Sequence, residues 1–321
     1  MMRTFTSLAD LPDDFGPSAV TIGKFDGVHT GHRAVTGQLI ALAKERGIQS
    51  VALTFDRNPL SLLRPEVCPA ALVSNEQKLE LLEQAGLDAT LMVTFDQAFS
   101  ALTPEEFIRG VLVDGLHAAV VLVGPDFRFG AKGAGSVVDL KDFGARFGFD
   151  VVMVEALTAQ QHDASDDRKV SSTWVREALS AGDVATATSL LGRLPSIRAE
   201  VVHGLQRGRE LGYPTANLSP EVEGFIPADG VYAAWLVVDG QRYGAAVSIG
   251  NNPTFEGVPD KQVEAHAFDQ SFDLYGRVVA LEFVDYIRGM QKFSGADELA
   301  RQMASDEQQI RAILGVPRPT S

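Results

Sequence analysis

Residues Ala118–Val123 read Ala-Ala-Val-Val-Leu-Val, a run without a polar position. Such a strand has no face to give to water, so it must be covered on both sides, as strands of parallel sheets are. Shorter apolar runs, Ala19–Ile22, Ile48–Phe55, Leu91–Phe95 and Val151–Val154, recur through the first half of the chain. Helical signals separate them. Leu39, Ile40, Leu42 and Ala43 keep helical spacing up to a stop at Gly47, and a further helical stretch spans Leu140–Phe147. Ser74 with Gln77, and Thr103-Pro104-Glu105-Glu106, read as capping boxes. Alternating strand and helix predict an α/β fold with a doubly wound parallel sheet, whose ligands bind beyond the carboxyl ends of the strands.

The pattern changes near Leu194, which sets predicted domains at 1–194 and 195–321. Val231–Val238 and Arg242–Ile249 flank Asp239-Gly240, a hairpin signal, and Val263–Phe268 and Val278–Val284 read as further strands. Ser294 with Asp297 is expected to cap a terminal helix carrying Leu299, Met303, Ile310 and Leu314. The second half therefore reads as a small antiparallel β-barrel with a C-terminal helix laid over it.

A formal net charge of -14 repels a polyphosphate backbone, so nucleic acid is not an expected partner. The single cysteine, Cys68, excludes an intramolecular disulfide framework and suits a reducing cytoplasm. No window approaches the roughly 18 apolar residues of a membrane span. The expected partners are small-molecule substrates, with homo-oligomerisation left open.

Chemistry concentrates in Gly23-Lys24-Phe25-Asp26-Gly27-Val28-His29-Thr30-Gly31-His32, between a predicted strand and a predicted helix. Such a junction aims backbone N–H groups and a positive helix end at an anion, and phosphate is the usual guest. Taken alone, the loop also fits a tight turn with solvated histidines, or half of a zinc site. A second helix start, Ser171-Ser172-Thr173-Trp174-Val175-Arg176, places Thr173 and Arg176 on one face, where hydroxyl and guanidinium can converge on one anion. Two phosphate-directed helix starts suit a nucleoside triphosphate.

Gly23–His32, Ser171-Ser172-Thr173-x-x-Arg176, Val123-Gly124-Pro125-Asp126-Phe127-Arg128-Phe129-Gly130 and Leu190-Leu191-Gly192-Arg193 resemble the flavin branch of the His-x-Gly-His nucleotidyltransferases. That is the adenylyltransferase half of bacterial bifunctional riboflavin kinase/FAD synthetases. The resemblance implies a Rossmann-like nucleotidyltransferase domain that transfers AMP from ATP to FMN, giving FAD and pyrophosphate. It implies catalytic roles for His29, His32 and Arg176. Gly23, Phe25, Asp26, Gly31, Ser171, Ser172 and Thr173 would bind the nucleotide, and Asp126, Phe127 and Phe129 the flavin. FMN phosphate is already an anionic nucleophile, so positioning and charge stabilisation suffice. In one place the chain departs from the family: Thr54-Phe55-Asp56-Arg57-Asn58-Pro59 stands where Thr-Phe-x-Pro-His-Pro is usual. Asn58 remains as a hydrogen-bonding candidate for the flavin.

In the second half, Gly204-Leu205-Gln206-Arg207-Gly208-Arg209-Glu210-Leu211-Gly212 precedes Tyr213-Pro214-Thr215-Ala216-Asn217. A glycine-rich loop alone is weak evidence. With Pro-Thr-Ala-Asn behind it, the stretch resembles the riboflavin kinase module. That resemblance implies ATP binding by Gly204, Arg207, Gly208, Gly212, Thr215 and Asn217, with Thr215 and Asn217 attending Mg²⁺. Glu264, in Val263-Glu264-Ala265-His266, matches the base that takes the ribityl hydroxyl proton. Arg288 is the flavin candidate in a segment, Arg288–Phe293, that only partly follows the family. The combined expectation is riboflavin to FMN to FAD, with ATP as co-substrate and Mg²⁺ as cofactor. Two rivals stand beside it: a single-activity nucleotidyltransferase with a non-catalytic barrel, and a flavin-sensing regulator.

Overall fold

The computed structural model describes residues 1–154, 168–203, 213–250, 261–270 and 273–318. The chain divides into two compact units, Met1–Ser171 and Ser172–Ser321.

The first unit holds strands β1 (Arg3–Phe5), β2 (Ser18–Ile22), β3 (Gln49–Phe55), β4 (Ala89–Val93), β5 (Ala118–Val123) and β6 (Asp150–Met153). They form one sheet in the order β1-β4-β3-β2-β5-β6, with every neighbouring pair parallel. Successive residues of β2 and β5 serve opposite cores: Val20, Val121 and Val123 one, Ala19, Val120 and Leu122 the other. That is the double burial the Ala118–Val123 run predicts. The helices are α1 (Thr30–Arg46), α2 (Pro59–Leu63), α3 (Asn75–Gln84), α4 (Gln97–Ala101), α5 (Pro104–Phe107) and α6 (Val137–Phe147). Gly47 ends α1 in the left-handed conformation, and the capping boxes at Ser74–Gln77 and Thr103–Glu106 are both formed. The second box starts only one α-helical turn, which passes into a π-helical segment, Ile108–Val113.

The strand order reverses between β2 and β5. Neighbouring crossovers there leave to opposite sides, opening a crevice beyond the carboxyl ends. Gly23–His32 follows β2 and Gly124–Phe129 follows β5, so both segments flank it.

The second unit begins with α7 (Ser172–Ser180) and α8 (Val184–Leu191). Strands β7 (Ser196–Val202), β8 (Ala216–Leu218), β9 (Gly230–Val238), β10 (Gln241–Gly250), β11 (Gln262–Ala267) and β12 (Val278–Arg288) close a barrel in the order β10-β11-β8-β7-β12-β9. Asp239 and Gly240 both take positive φ, +50° and +77°, as a type I′ hairpin needs. Helix α9 (Ala296–Leu314) packs on β9, β10 and β12.

Two boundaries differ from expectation. The helix α9 starts after Gly295, which makes no side-chain cap. Ser294 instead bonds Glu298, not Asp297, through its N–H (2.8 Å) and its hydroxyl (2.6 Å). Strand β12 runs to Arg288 rather than Val284, because register shifts after Phe283 and Tyr286 break the alternation that marks a strand in sequence. Helices α7 and α8 belong with the barrel by packing: α8 lies on β12, and Val184 sits in the barrel core.

Candidate active sites

The first site is built from strain and burial. In the loop after β2, Phe25, Gly27 and Val28 take positive φ, +48°, +80° and +39°. Such conformations cost a non-glycine residue on the order of 1–3 kcal/mol and persist only where packing over-determines them. Phe25 and Val28 are buried in the core beneath α1, which supplies that constraint. Hydrogen bonds fix the rest: Gly23 N–H donates to Leu53 O (3.0 Å), Thr54 Oγ1 to Lys24 O (3.2 Å), and Leu72 N–H to Asp26 Oδ1 (2.8 Å).

The loop delivers His29 as the N-cap of α1, its Nδ1 accepting from His32 N–H at 3.3 Å. The two imidazoles stack with centroids 3.7 Å apart and planes 18° apart. Gly31 permits this, since a Cβ there would stand 3.1 Å from both Cε1 and Nδ1 of His29. Burial, then the charges of His29 and Lys24, hold His32 well below the ordinary histidine value of 6.5. Its Nδ1 is buried without a hydrogen-bond partner among the described residues. The stacked rings do not converge on one ion, and no group of three or more His, Cys, Asp or Glu suited to a metal occurs among the described residues. The zinc alternative gains nothing from this geometry.

Beyond β5, Phe127 N–H closes a turn on Gly124 O, Asp126 is exposed 3.8 Å from Lys169, and Phe127 stacks on Phe129 at 5.7 Å. Phe129 is a core residue, while Phe127 is half-buried. The departure after β3 is organised by Asp56. Its carboxylate accepts from Phe95 N–H (3.0 Å) and pairs with the exposed Arg57, while Asn58 caps α2 through its side-chain oxygen (3.1 Å to Leu60 N–H). That cap uses one acceptor position of the Asn58 side chain.

Two features here carry no sequence motif. Lys78, 7% exposed, donates to Phe55 O (2.8 Å) and Asn75 Oδ1 (3.2 Å) at the carboxyl end of β3. Burial lowers its pKa, against the pull of Asp26 and Asp56. Phenylalanines 55, 95, 99, 107 and 129 form a continuous aromatic chain with centroid separations of 5.4 to 6.1 Å, linking the ends of β3 and β5. These phenylalanines are scattered along the chain, so no local spacing announces the cluster.

Ser171 ends the first unit; Ser172, Thr173 and Arg176 lie on α7 in the second, with Thr173 exposed and the other two half-buried.

In the barrel, β8 and β11 pair antiparallel with Asn217 opposite Glu264 and Ala216 opposite Ala265. Thr215 Oγ1 donates to Glu264 Oε2 at 3.4 Å. Three of the predicted kinase residues therefore meet. Gly204, Arg207, Gly208 and Gly212 lie outside the described residues. Arg288 reaches α9: its Nε and Nη2 clasp Asp306 at 2.7 to 3.1 Å, and Nη1 donates to Gly289 O. That pair is largely buried, so the guanidinium fork ties β12 to α9.

The family model of FAD synthetase matches residues 12–173, and that of riboflavin kinase matches residues 191–314. A bifunctional riboflavin kinase/FMN adenylyltransferase of Escherichia coli K12 is 37% identical over 320 residues, covering 99% of both chains. Its counterpart in Bacillus subtilis is 35% identical over 303 residues, covering 93% of each. Among solved structures, a Streptococcus pneumoniae chain described as a macrolide-efflux protein superposes with a TM-score of 0.84 at 31% identity, covering 97% of this chain and 98% of that one. The efflux description is that protein's own; here, among the described residues, no helix is long and apolar enough to cross a membrane. Both modules are matched in order and the likeness runs the length of the chain, which places it in the family of bifunctional riboflavin kinase/FMN adenylyltransferases.

Proposed function

We propose that the chain runs the two activities of its family in succession, phosphorylating riboflavin with residues 195–321 and adenylylating the resulting FMN with residues 1–194. The observation that carries this reading is that each half gathers its own polar set: His29 stacked on His32 at one helix start, and Glu264 on Thr215 opposite Asn217.

In the kinase step the terminal ribityl hydroxyl attacks the γ-phosphorus of ATP. The new O–P bond forms as the bond to ADP breaks, and Glu264 accepts the hydroxyl proton. Thr215 and Asn217 offer neutral oxygen donors, a set that fits a hard cation sharing its shell with phosphate and water. Mg²⁺ held there would neutralise charge on the transferring phosphoryl group.

In the adenylyl step a phosphate oxygen of FMN attacks the α-phosphorus of ATP, and pyrophosphate leaves. No proton need be removed from the nucleophile. His32, neutral and unpartnered at Nδ1, regains hydrogen-bonding partners and is drawn toward its charged form when phosphate arrives. Gly23, Phe25, Asp26 and Gly31 shape the loop that presents it. Ser171, Ser172, Thr173 and Arg176 are assigned to ATP phosphates by family resemblance. The half-buried Phe127 and the aromatic chain behind it suit a flat isoalloxazine ring, with Asn58 and Asp126 as polar neighbours. A cytoplasmic setting fits substrates of this kind and the lone Cys68.

Incubation with riboflavin, ATP and Mg²⁺, followed by chromatography of the flavins, tests the reading. FMN should form first and FAD after it; a folded protein yielding neither would refute it, and binding without turnover would favour a sensor.

A further inference from the structure

The β8–β11 ladder stops one pair before the residue it most needs to hold. Pairing runs Asn217 with Glu264 and Ala216 with Ala265, so the next antiparallel partners would be Thr215 and His266. Thr215 lies outside β8, and the residue before it, Pro214, has no N–H with which to extend a ladder. A side chain takes over at this point. The Nδ1 of His266 lies 2.8 Å from the carbonyl oxygen of Pro214. A carbonyl only accepts, so the imidazole donates from Nδ1. The ring is seated between aromatic neighbours, Tyr213 at 5.2 Å and 69°, and Phe268 at 5.9 Å and 65°, both edge-to-face.

Thr215 therefore has a fixed point on each side, Pro214 clasped by His266 and Ala216 clasped by β11. Its hydroxyl sits 3.4 Å from Glu264, the proposed proton acceptor.

We propose that His266 is a positioning residue for riboflavin phosphorylation, holding the Pro214 carbonyl so that Thr215 presents its hydroxyl to the metal–phosphate group of ATP. The inference rests on the kinase reading above. His266 acts through the backbone and touches neither substrate nor the transferring group.

Steady-state FMN formation by the full-length protein tests this, with Mg·ATP and riboflavin varied separately. His266→Leu keeps apolar bulk and removes the donor; His266→Asn restores an N–H near the place of Nδ1. His266→Leu should raise the KM for Mg·ATP about tenfold or more, since a displacement on the order of 1 Å costs up to about a hundredfold. The KM for riboflavin should stay within about twofold, and His266→Asn should recover most of the loss, because the restored N–H re-forms the single bond on which the positioning depends. FMN-to-FAD conversion in the same samples reports that the rest of the chain is intact. A His266→Leu protein with unchanged KM for Mg·ATP would overturn the proposal, as would a folded His266→Asn protein as impaired as His266→Leu. If the parent forms no FMN while still making FAD from FMN, the kinase reading itself fails and takes the inference with it.

Discussion

His29 caps the helix that carries His32 and stacks on its ring, so that the Nδ1 of one histidine is used by the backbone while the Nδ1 of the other is buried and unpaired. One imidazole serves the helix cap on one edge; the proposed adenylyl step assigns its neighbour to an anion. Replacing His32 by Gln removes a charge-stabilising group from the adenylyl step and should slow FMN-to-FAD conversion by about 10²–10³-fold. FMN formation from riboflavin should stay at the parent rate. Single-substrate assays with each flavin read the two steps separately.

The same residue should make the first unit acid-sensitive. His32 titrates well below 6.5 when folded and near 6.5 when unfolded, so between those values the unfolded chain binds the extra proton. Stability then rises with pH across that window and is lost as pH falls below 6.5. His29 and Lys24 are the charged neighbours that oppose protonation. Thermal melts from pH 7.5 to 5.5 should show the decline, and His32→Gln should flatten it.

Gly31→Ala tests the geometry without touching an imidazole. The added methyl would meet the His29 ring at 3.1 Å, so the ring must shift by a few tenths of an ångström against the cap. Overpacking of this kind costs about 1–3 kcal/mol. Loss of FAD synthesis should exceed any loss of riboflavin phosphorylation, as measured in one reaction by flavin chromatography.

Lys78→Met should destabilise the first unit by about 1–3 kcal/mol, because the Phe55 carbonyl loses its donor in a buried setting. Chemical denaturation monitored for the first unit checks this. Since Phe55 precedes Asp56-Arg57-Asn58, the KM for FMN should also rise.

Fragments report on the division of the chain. Residues 195–321 contain the proposed kinase residues but lack Val184, which is in the barrel core, and α8, which packs on β12. A fragment of residues 172–321 should melt higher than one of residues 195–321, with equal or greater FMN formation. Equal melting temperatures would show that α7 and α8 add nothing to the barrel.

Much of this was legible in sequence because local chemistry agreed with the fold. The Ala118–Val123 run, the box at Ser74–Gln77 and the Asp239-Gly240 turn each specify their own conformation. The Gly23–His32 and Pro214–Asn217 segments stood out in sequence through their resemblance to family motifs, which implies their roles. What escaped depends on distant partners. Strand β1 is three residues held by pairing with β4, β12 is broken in register by bulges, and Lys78 is buried only because β3 ends against α3. The Arg288–Asp306 pair escaped for the same reason, since nothing local announces Asp306 as a partner.

The division of labour between the two halves is tested most directly by mixing two inactive proteins. Glu264→Gln alone should make no FMN, with a loss on the order of 10²–10⁴-fold, yet convert added FMN to FAD. His32→Gln alone should accumulate FMN and stop there. Supplied together with riboflavin, ATP and Mg²⁺, the two should produce FAD, because FMN released by one is substrate for the other. Abolition of both steps by either substitution in a folded protein would contradict a chain that holds two separate chemistries.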